Sequence, residues 1–212
     1  MNEKTWHGRK RWVVLAVVLI AAVLLIVRLL THQVVHVSGS LAYKSVDDLF
    51  AASSLVALGT YTGQSESFQI RHASADWVAN YTDYRFTLSD TFQGQADSDV
   101  VTVRLQGGTA GNKTEIYDPN PDFAKDQEYL LFLFQPGMGG GFNTEGDYYY
   151  ICGLTQGVFM RDSSGDYGSL SGETLSESQL SSLAKPGPVS EDIARKEFIS
   201  NQQKNLANGF IT

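Results

Sequence analysis

The sequence predicts a mainly β protein, a small closed or nearly closed barrel with one transmembrane helix before it and a short helical tail after it. Three observations carry this. An uncharged apolar run fills residues 12–27 near the start. About seven short apolar runs, alternating or continuous and bounded by Gly, Pro, Asn and Asp, follow between residues 55 and 161. Little helical periodicity lies among them.

The apolar run comes first in the chain. Residues 12–30, interrupted only by Arg28, extend to roughly 28 Å as a helix, close to the hydrocarbon thickness of a bilayer. A helix is the single-segment solution there, because lipid offers the backbone no hydrogen-bond partners. Lys4, Arg9, Lys10 and Arg11 flank the run, so residues 1–11 are expected in the cytoplasm and the remaining domain outside it, on a cell-membrane protein of single-pass topology. Arg28 can snorkel to the far headgroups. The rival reading is a cleaved signal peptide. Ser38, Gly39 and Ser40 lie well past the apolar core and make a poor cleavage site, which favours an uncleaved signal-anchor. Residues 31–44 read as a stalk. His32 and His36 stand four apart in it, but no third ligand is near and Val34, Val35 and Val37 favour extended chain, so no metal site is expected.

Charge narrows the partners. The 212 residues carry a formal net charge of −7. Up to Arg28, five basic residues (Lys4, Arg9, Lys10, Arg11, Arg28) stand against Glu3 alone, so the rest of the chain is more acidic than the total suggests. An acidic domain repels polyanions, which excludes nucleic acid. The partners expected are the bilayer through residues 12–30 and either another envelope protein or a neutral or cationic ligand. Cys152 is the single cysteine, so no internal disulfide forms and stability must come from a packed core. Within Tyr148-Tyr149-Tyr150-Ile151-Cys152 it reads as a small buried apolar residue rather than a nucleophile.

The barrel domain is assigned to residues 45–171. Ser45 and Asp48 form a capping-box pattern for a short helix to about Ala52. Residues 55–62 read as a strand closed by Gly63, and residues 67–71 as a second with Phe68 and Ile70 on one face. Residues 72–80 are polar, with Trp77 as anchor. Residues 84–88 alternate clearly, ending at Asp90 and Gly94, and residues 100–105 form a strand stopped by Gly107 and Gly108. Residues 109–122 read as a turn-rich connection. Residues 128–134 are nearly all apolar, as expected of a central strand buried on both faces. After a glycine-rich loop, residues 147–152 and 157–161 read as strands, the latter turning at Asp162-Ser163-Ser164-Gly165. The tail, residues 172–212, holds a helix ending near Leu183 and, past Pro186-Gly187-Pro188, a second candidate from Ser190 to about Leu206.

The stretches 54–63, 81–94, 101–108 and 123–133 together resemble a widespread family of uncharacterised bacterial exported, membrane-anchored proteins. Thr91-Phe92-Gln93-Gly94 and Asp126-Gln127-Glu128-Tyr129-Leu130 are the most specific parts. More distantly, this order is similar to the OB-type barrel of the netrin and tissue-inhibitor-of-metalloproteinase modules, and the resemblance implies an OB-like barrel here. Those inhibitors chelate zinc through a free N-terminal cysteine in a disulfide-rich frame. This chain has neither feature, so the inhibitory role does not transfer.

Candidate chemistry is sparse. Residues 107–114 suggest a phosphate-binding loop, but Asn112 replaces the glycine required before Lys113, so no nucleotide is expected. Asp162 and Asp166 fail the twelve-residue calcium-loop pattern. His72 has no nucleophile elbow to serve. No catalytic residue, metal or cofactor is therefore expected. Aromatic residues beside loops are the binding candidates: Phe142, Tyr148 and Tyr149 at one, Trp77 and Tyr81 at the other. The functional expectation is a non-catalytic binding or accessory module of the cell envelope. The alternatives are an envelope-polymer hydrolase using paired carboxylates, with Glu128 or Asp147 as candidates, and a structural subunit of a membrane complex.

Overall fold

The computed structural model describes residues 3–38, 41–72, 77–118, 120–135 and 147–184. Its helices are α1 (Glu3–Thr31), α2 (Val46–Ala52) and α3 (Glu177–Leu183). Its strands begin with β1 (Gln33–Val37), β2 (Leu55–Gln64), β3 (Phe68–His72), β4 (Trp77–Gln93), β5 (Val100–Gln106) and β6 (Gly108–Ala110). They continue with β7 (Lys113–Tyr117), β8 (Glu128–Phe134), β9 (Tyr150–Ile151), β10 (Val158–Arg161), β11 (Tyr167–Ser169) and β12 (Thr174–Leu175). A short 3-10 turn, Leu154–Gly157, separates β9 from β10. The mainly β character expected from the sequence holds, and two larger expectations do not.

The first correction concerns α1. A helix forms over the apolar run, yet among the described residues no helix is long and apolar enough to cross a membrane. Residues 12–27, whose side chains are exposed on every side, cover about 24 Å at the helical rise, against a hydrocarbon core of roughly 30 Å. Arg11 bounds that stretch on one side and Arg28 on the other. The predicted transmembrane helix over residues 12–30, the signal-anchor, and the single-pass cell-membrane placement with an extracytoplasmic domain are therefore overturned.

The second correction concerns closure. The main sheet runs β12-β11-β10-β8-β2-β4-β3, with β5 added to β4 and β9 to β8. Among the described residues it does not close into a barrel, OB-like or otherwise. Its nearest approach to closure is one isolated bridge between Val103 and Tyr149. The strand expected over residues 147–152 shrinks to the two residues of β9. Left-handed backbone at Gly153 (φ 66°) and Leu154 (φ 49°) then turns the chain away before a ladder to β5 can grow.

β4 organises what does form. Seventeen residues long, it carries β2 and β3 in succession along one edge and β5 along the other. Ser65 holds the break between β2 and β3 to β4, its N–H donating to the Asp83 carbonyl at 2.8 Å and its Oγ accepting from the Asp83 N–H at 3.1 Å. β8 lies between β2 and the β9 and β10 segments and is buried on both faces, as its continuous apolar run predicts. Leu131 and Leu133 join Leu55, Phe86, Val103 and Tyr149 in one core. Leu130 and Phe132 join Val56, Phe159 and the inner faces of α2 and α3 in a second core on the opposite side.

Helix α2 starts where the sequence places it. Ser45 accepts from the Asp48 N–H, and the Asp48 carboxylate accepts from the Ser45 N–H at 3.1 Å. Helix α3 has the same device at Ser176 and Gln179. The later tail helix, residues 190–206, lies outside the described residues. The region expected as a connection, 109–122, instead contributes β6 and β7 to a small sheet of order β1-β7-β6. Here β1, from the segment read as a stalk, pairs in parallel with β7.

Candidate functional site

The small sheet docks on β4 through buried polar groups. Asn80 is fully buried, and its amide nitrogen donates to the Gly108 carbonyl at 2.9 Å and the Lys113 carbonyl at 2.8 Å. Its backbone N–H donates to the Glu115 carboxylate at 2.9 Å. Glu115, also buried, is ion-paired with Lys113. Paired and hydrogen-bonded, this carboxylate meets the conditions under which a buried charge is tolerated.

Between β4, β5, β7 and β9 this docking leaves a cavity of about 280 Å³. Leu105, Phe134, Ile151 and Leu154 form its apolar wall. Tyr81, Tyr117, Tyr150, Gln106 and Asn120 bring polar groups to it, and Arg104 stands at its lining. Strand register explains the grouping. Tyr81 faces Gln106 and Asp83 faces Arg104 across the β4–β5 ladder, on one side of the sheet. The Gln106 amide donates to the Tyr117 hydroxyl. The Gln106 carbonyl accepts from the Asn120 amide at 2.6 Å, which ties the end of β5 to the chain beyond β7.

Arg104 is committed elsewhere. Its guanidinium donates twice to Asp83, at 2.7 and 2.8 Å, in the bidentate geometry that suits the two planar groups. Its carbon centre lies 3.7 Å from the Tyr148 ring centroid and 4.8 Å from that of Phe68. Burial draws the guanidinium downward, but the hydrogen bonds and charge of Asp83 outweigh it and hold the group above its ordinary range. Burial also pushes the phenols of Tyr81, Tyr150 and Tyr117 upward, helped at Tyr150 by its contact with Tyr148 and at Tyr117 by the charge of Glu115. All three phenols are neutral hydroxyls near pH 7.

Of the aromatic residues singled out in the sequence, Tyr81 lines this cavity. Tyr148 is buried against Arg104 rather than on the lining. Tyr149 points into the first core. Trp77 opens β4 opposite His72, and Phe142 lies outside the described residues. Of Tyr81, Tyr148 and Tyr149, the cavity takes in Tyr81. Sequence reasoning missed Arg104, Gln106, Tyr117, Asn120 and Tyr150. One signal was present: in an extended Tyr148-Tyr149-Tyr150 run, the first and third share a side and the second opposes them, and the Tyr148 and Tyr150 rings do meet edge-on at 5.4 Å.

The other candidates disperse. Glu128 opens β8, while Asp147 precedes the segment that pairs with its far end. Seven strand residues extend over about 20 Å, beyond the spacing of a glycosidase pair at roughly 5–10 Å. Asp162 spends one carboxylate oxygen on Ser164 and Asp166 in a tight turn. Among the described residues, no group of three or more His, Cys, Asp and Glu is placed to hold a metal ion. The phosphate-loop-like stretch is the β6–β7 hairpin. Cys152 is buried and its thiol is pushed up to about 11 by burial.

Fold and site together define an open-sheet, mainly β domain with an aromatic-walled cavity. No protein-family model matches this chain, and no curated protein is detectably similar to it.

Proposed function

We propose that this chain is a non-catalytic binding module whose ligand site is the cavity between β4, β5, β7 and β9. The observation that carries the reading is the lining itself: apolar walls with a few convergent hydrogen-bonding side chains, the usual make-up of a small-molecule site. Among the described residues, the lining holds no carboxylate, histidine or cysteine. It is therefore suited to holding a ligand rather than moving its protons or attacking its carbons.

Filling the cavity tests this. In a screen of ring-bearing fragments observed by NMR, binding should perturb the side-chain amides of Gln106 and Asn120. Leu154→Trp should abolish that binding, and Phe134→Trp provides the same test from another wall. Leu170→Trp, at an exposed position, should leave it intact. Fragments that bind equally well to folded Leu154→Trp and Phe134→Trp proteins would refute the assignment.

A further inference from the structure

We infer that the cavity selects an uncharged ligand built on a single ring or a small fused pair, and discriminates against both carboxylate and ammonium groups. The inference rests on reading the cavity as a binding site and adds the chemistry of what enters it.

Charge is the first argument. Among the described residues, Arg104 is the single formally charged residue of the lining. An anion seeking it competes with Asp83, already held by two short hydrogen bonds, and finds guanidinium faces covered by Tyr148 and Phe68. A cation meets the same guanidinium and no carboxylate among the described lining residues. Glu115, behind Tyr117, is engaged by Lys113 and the Asn80 N–H. Burial keeps the three phenols protonated, so they present dipoles and not charges. Either kind of ion would leave water without a counter-charge to meet it.

Size and shape are the second argument. An apolar cavity of roughly 150 Å³ accommodates benzene. The present one, at about 280 Å³, has room for one substituted ring or two small fused ones. Tyr81, Tyr117, Phe134 and Tyr150 supply four aromatic walls, which favour a ring by edge and face contacts. Gln106 and Asn120 lie together at the polar side, where they can orient a hydroxyl or carbonyl substituent.

Three probes on one scaffold test the inference in the full chain: benzyl alcohol, benzoate and benzyltrimethylammonium, titrated against the Gln106 and Asn120 amide signals. Benzyl alcohol should bind at least about tenfold more tightly than either ion. Its affinity should be indifferent to salt and flat from about pH 6 to 8.5, because no described lining group titrates there. Asp83→Asn, which frees Arg104, should raise benzoate affinity selectively. Tightest binding by benzyltrimethylammonium would overturn the charge argument in favour of a cation cage, and tightest binding by benzoate would show Arg104 open to anions. Either result leaves the cavity standing as a site. If none of the three moves the Gln106 or Asn120 signals, the binding-site reading fails, and the inference fails with it.

Discussion

Gly94 and Gln93 show how much one turn can hold. Gln93 is buried, and its amide donates to the carbonyls of Phe50 at 2.9 Å and Ser53 at 2.7 Å. It thereby supplies a donor to the Ser53 carbonyl at the C-terminal end of α2 and a second one to the Phe50 carbonyl, which also accepts the Ser53 N–H at 3.3 Å. Gly94 follows with φ at 76°, and a Cβ there would lie 2.0 Å from the Ser54 carbonyl oxygen. Backbone conformation and space both demand glycine. The Thr91-Phe92-Gln93-Gly94 stretch, distinctive in the sequence, is in the structure the clasp between the end of β4 and α2. Gly94→Ala should destabilise the fold by about 2–4 kcal/mol, through strain and displaced backbone. Gln93→Leu should cost about 1–3 kcal/mol, by removing the side-chain donor from the Ser53 carbonyl and one of two donors from that of Phe50. Urea unfolding measures both, and a change below about 0.5 kcal/mol at Gly94 would mean the clasp is not rigid.

Among the elements, β4 carries the polar docking of the small sheet, and the consequence is local. Asn80→Ala removes both side-chain donors to the Gly108 and Lys113 carbonyls, a loss of about 1–3 kcal/mol. Amide exchange should accelerate in β6, β7 and β1 while β2 and β8 keep their protection. Uniform acceleration through β8 would show instead that the two sheets unfold as one. The same docking explains what the sequence concealed. Helix α2 was legible from Ser45 and Asp48, and β8 from its unbroken apolar run, because those signals are local. The full length of β4 was not. Asn80, Thr82 and Asp83 carry no local strand signal; pairing with β3 and β5 makes them strand, and Ser65, Arg104, Gly107 and Glu115 satisfy their polar groups. β7 hides for a related reason, since its buried position is a glutamate, the reverse of a hydrophobic pattern. The cavity was least legible of all. Tyr81, Gln106, Tyr117 and Tyr150 belong to four strands whose meeting depends on a register that no single stretch encodes. The reading of α1 failed for another reason: its length of roughly 28 Å counted residues 28–30, Arg28 among them, and residues 12–27 alone cover about 24 Å.

For the molecule as a whole, the two cores share their central strands. Leu55, Ala57, Leu131 and Leu133 face one core, while Val56, Leu130 and Phe132 face the other. Neither core can open without disturbing β2 and β8, so the domain should lose both together. Cys152 lies in the second core with Ser53 Oγ donating to its sulfur at 3.3 Å, and Tyr81 and Tyr150 line the cavity. Burial raises all three acids above their ordinary values, the thiol to about 11 and the phenols further. The folded state therefore keeps protons that the unfolded chain gives up first. Above the ordinary thiol pKa, near pH 8.5–9, the unfolded state binds fewer protons, so stability falls with rising pH. For the thiol this loss continues until its folded value is passed. The phenols take it over from about pH 10, each unit of separation amounting to about 1.4 kcal/mol per group. The urea midpoint should be level around pH 7–8 and decline steadily from about pH 9 to 10.5. A thiol reagent at about pH 8 should modify Cys152 only as fast as the domain unfolds, tracking the loss of tertiary signal as urea is raised. A midpoint that stays level through pH 10.5, together with native-state labelling at the rate of an exposed thiol, would show that the second core opens independently of the first.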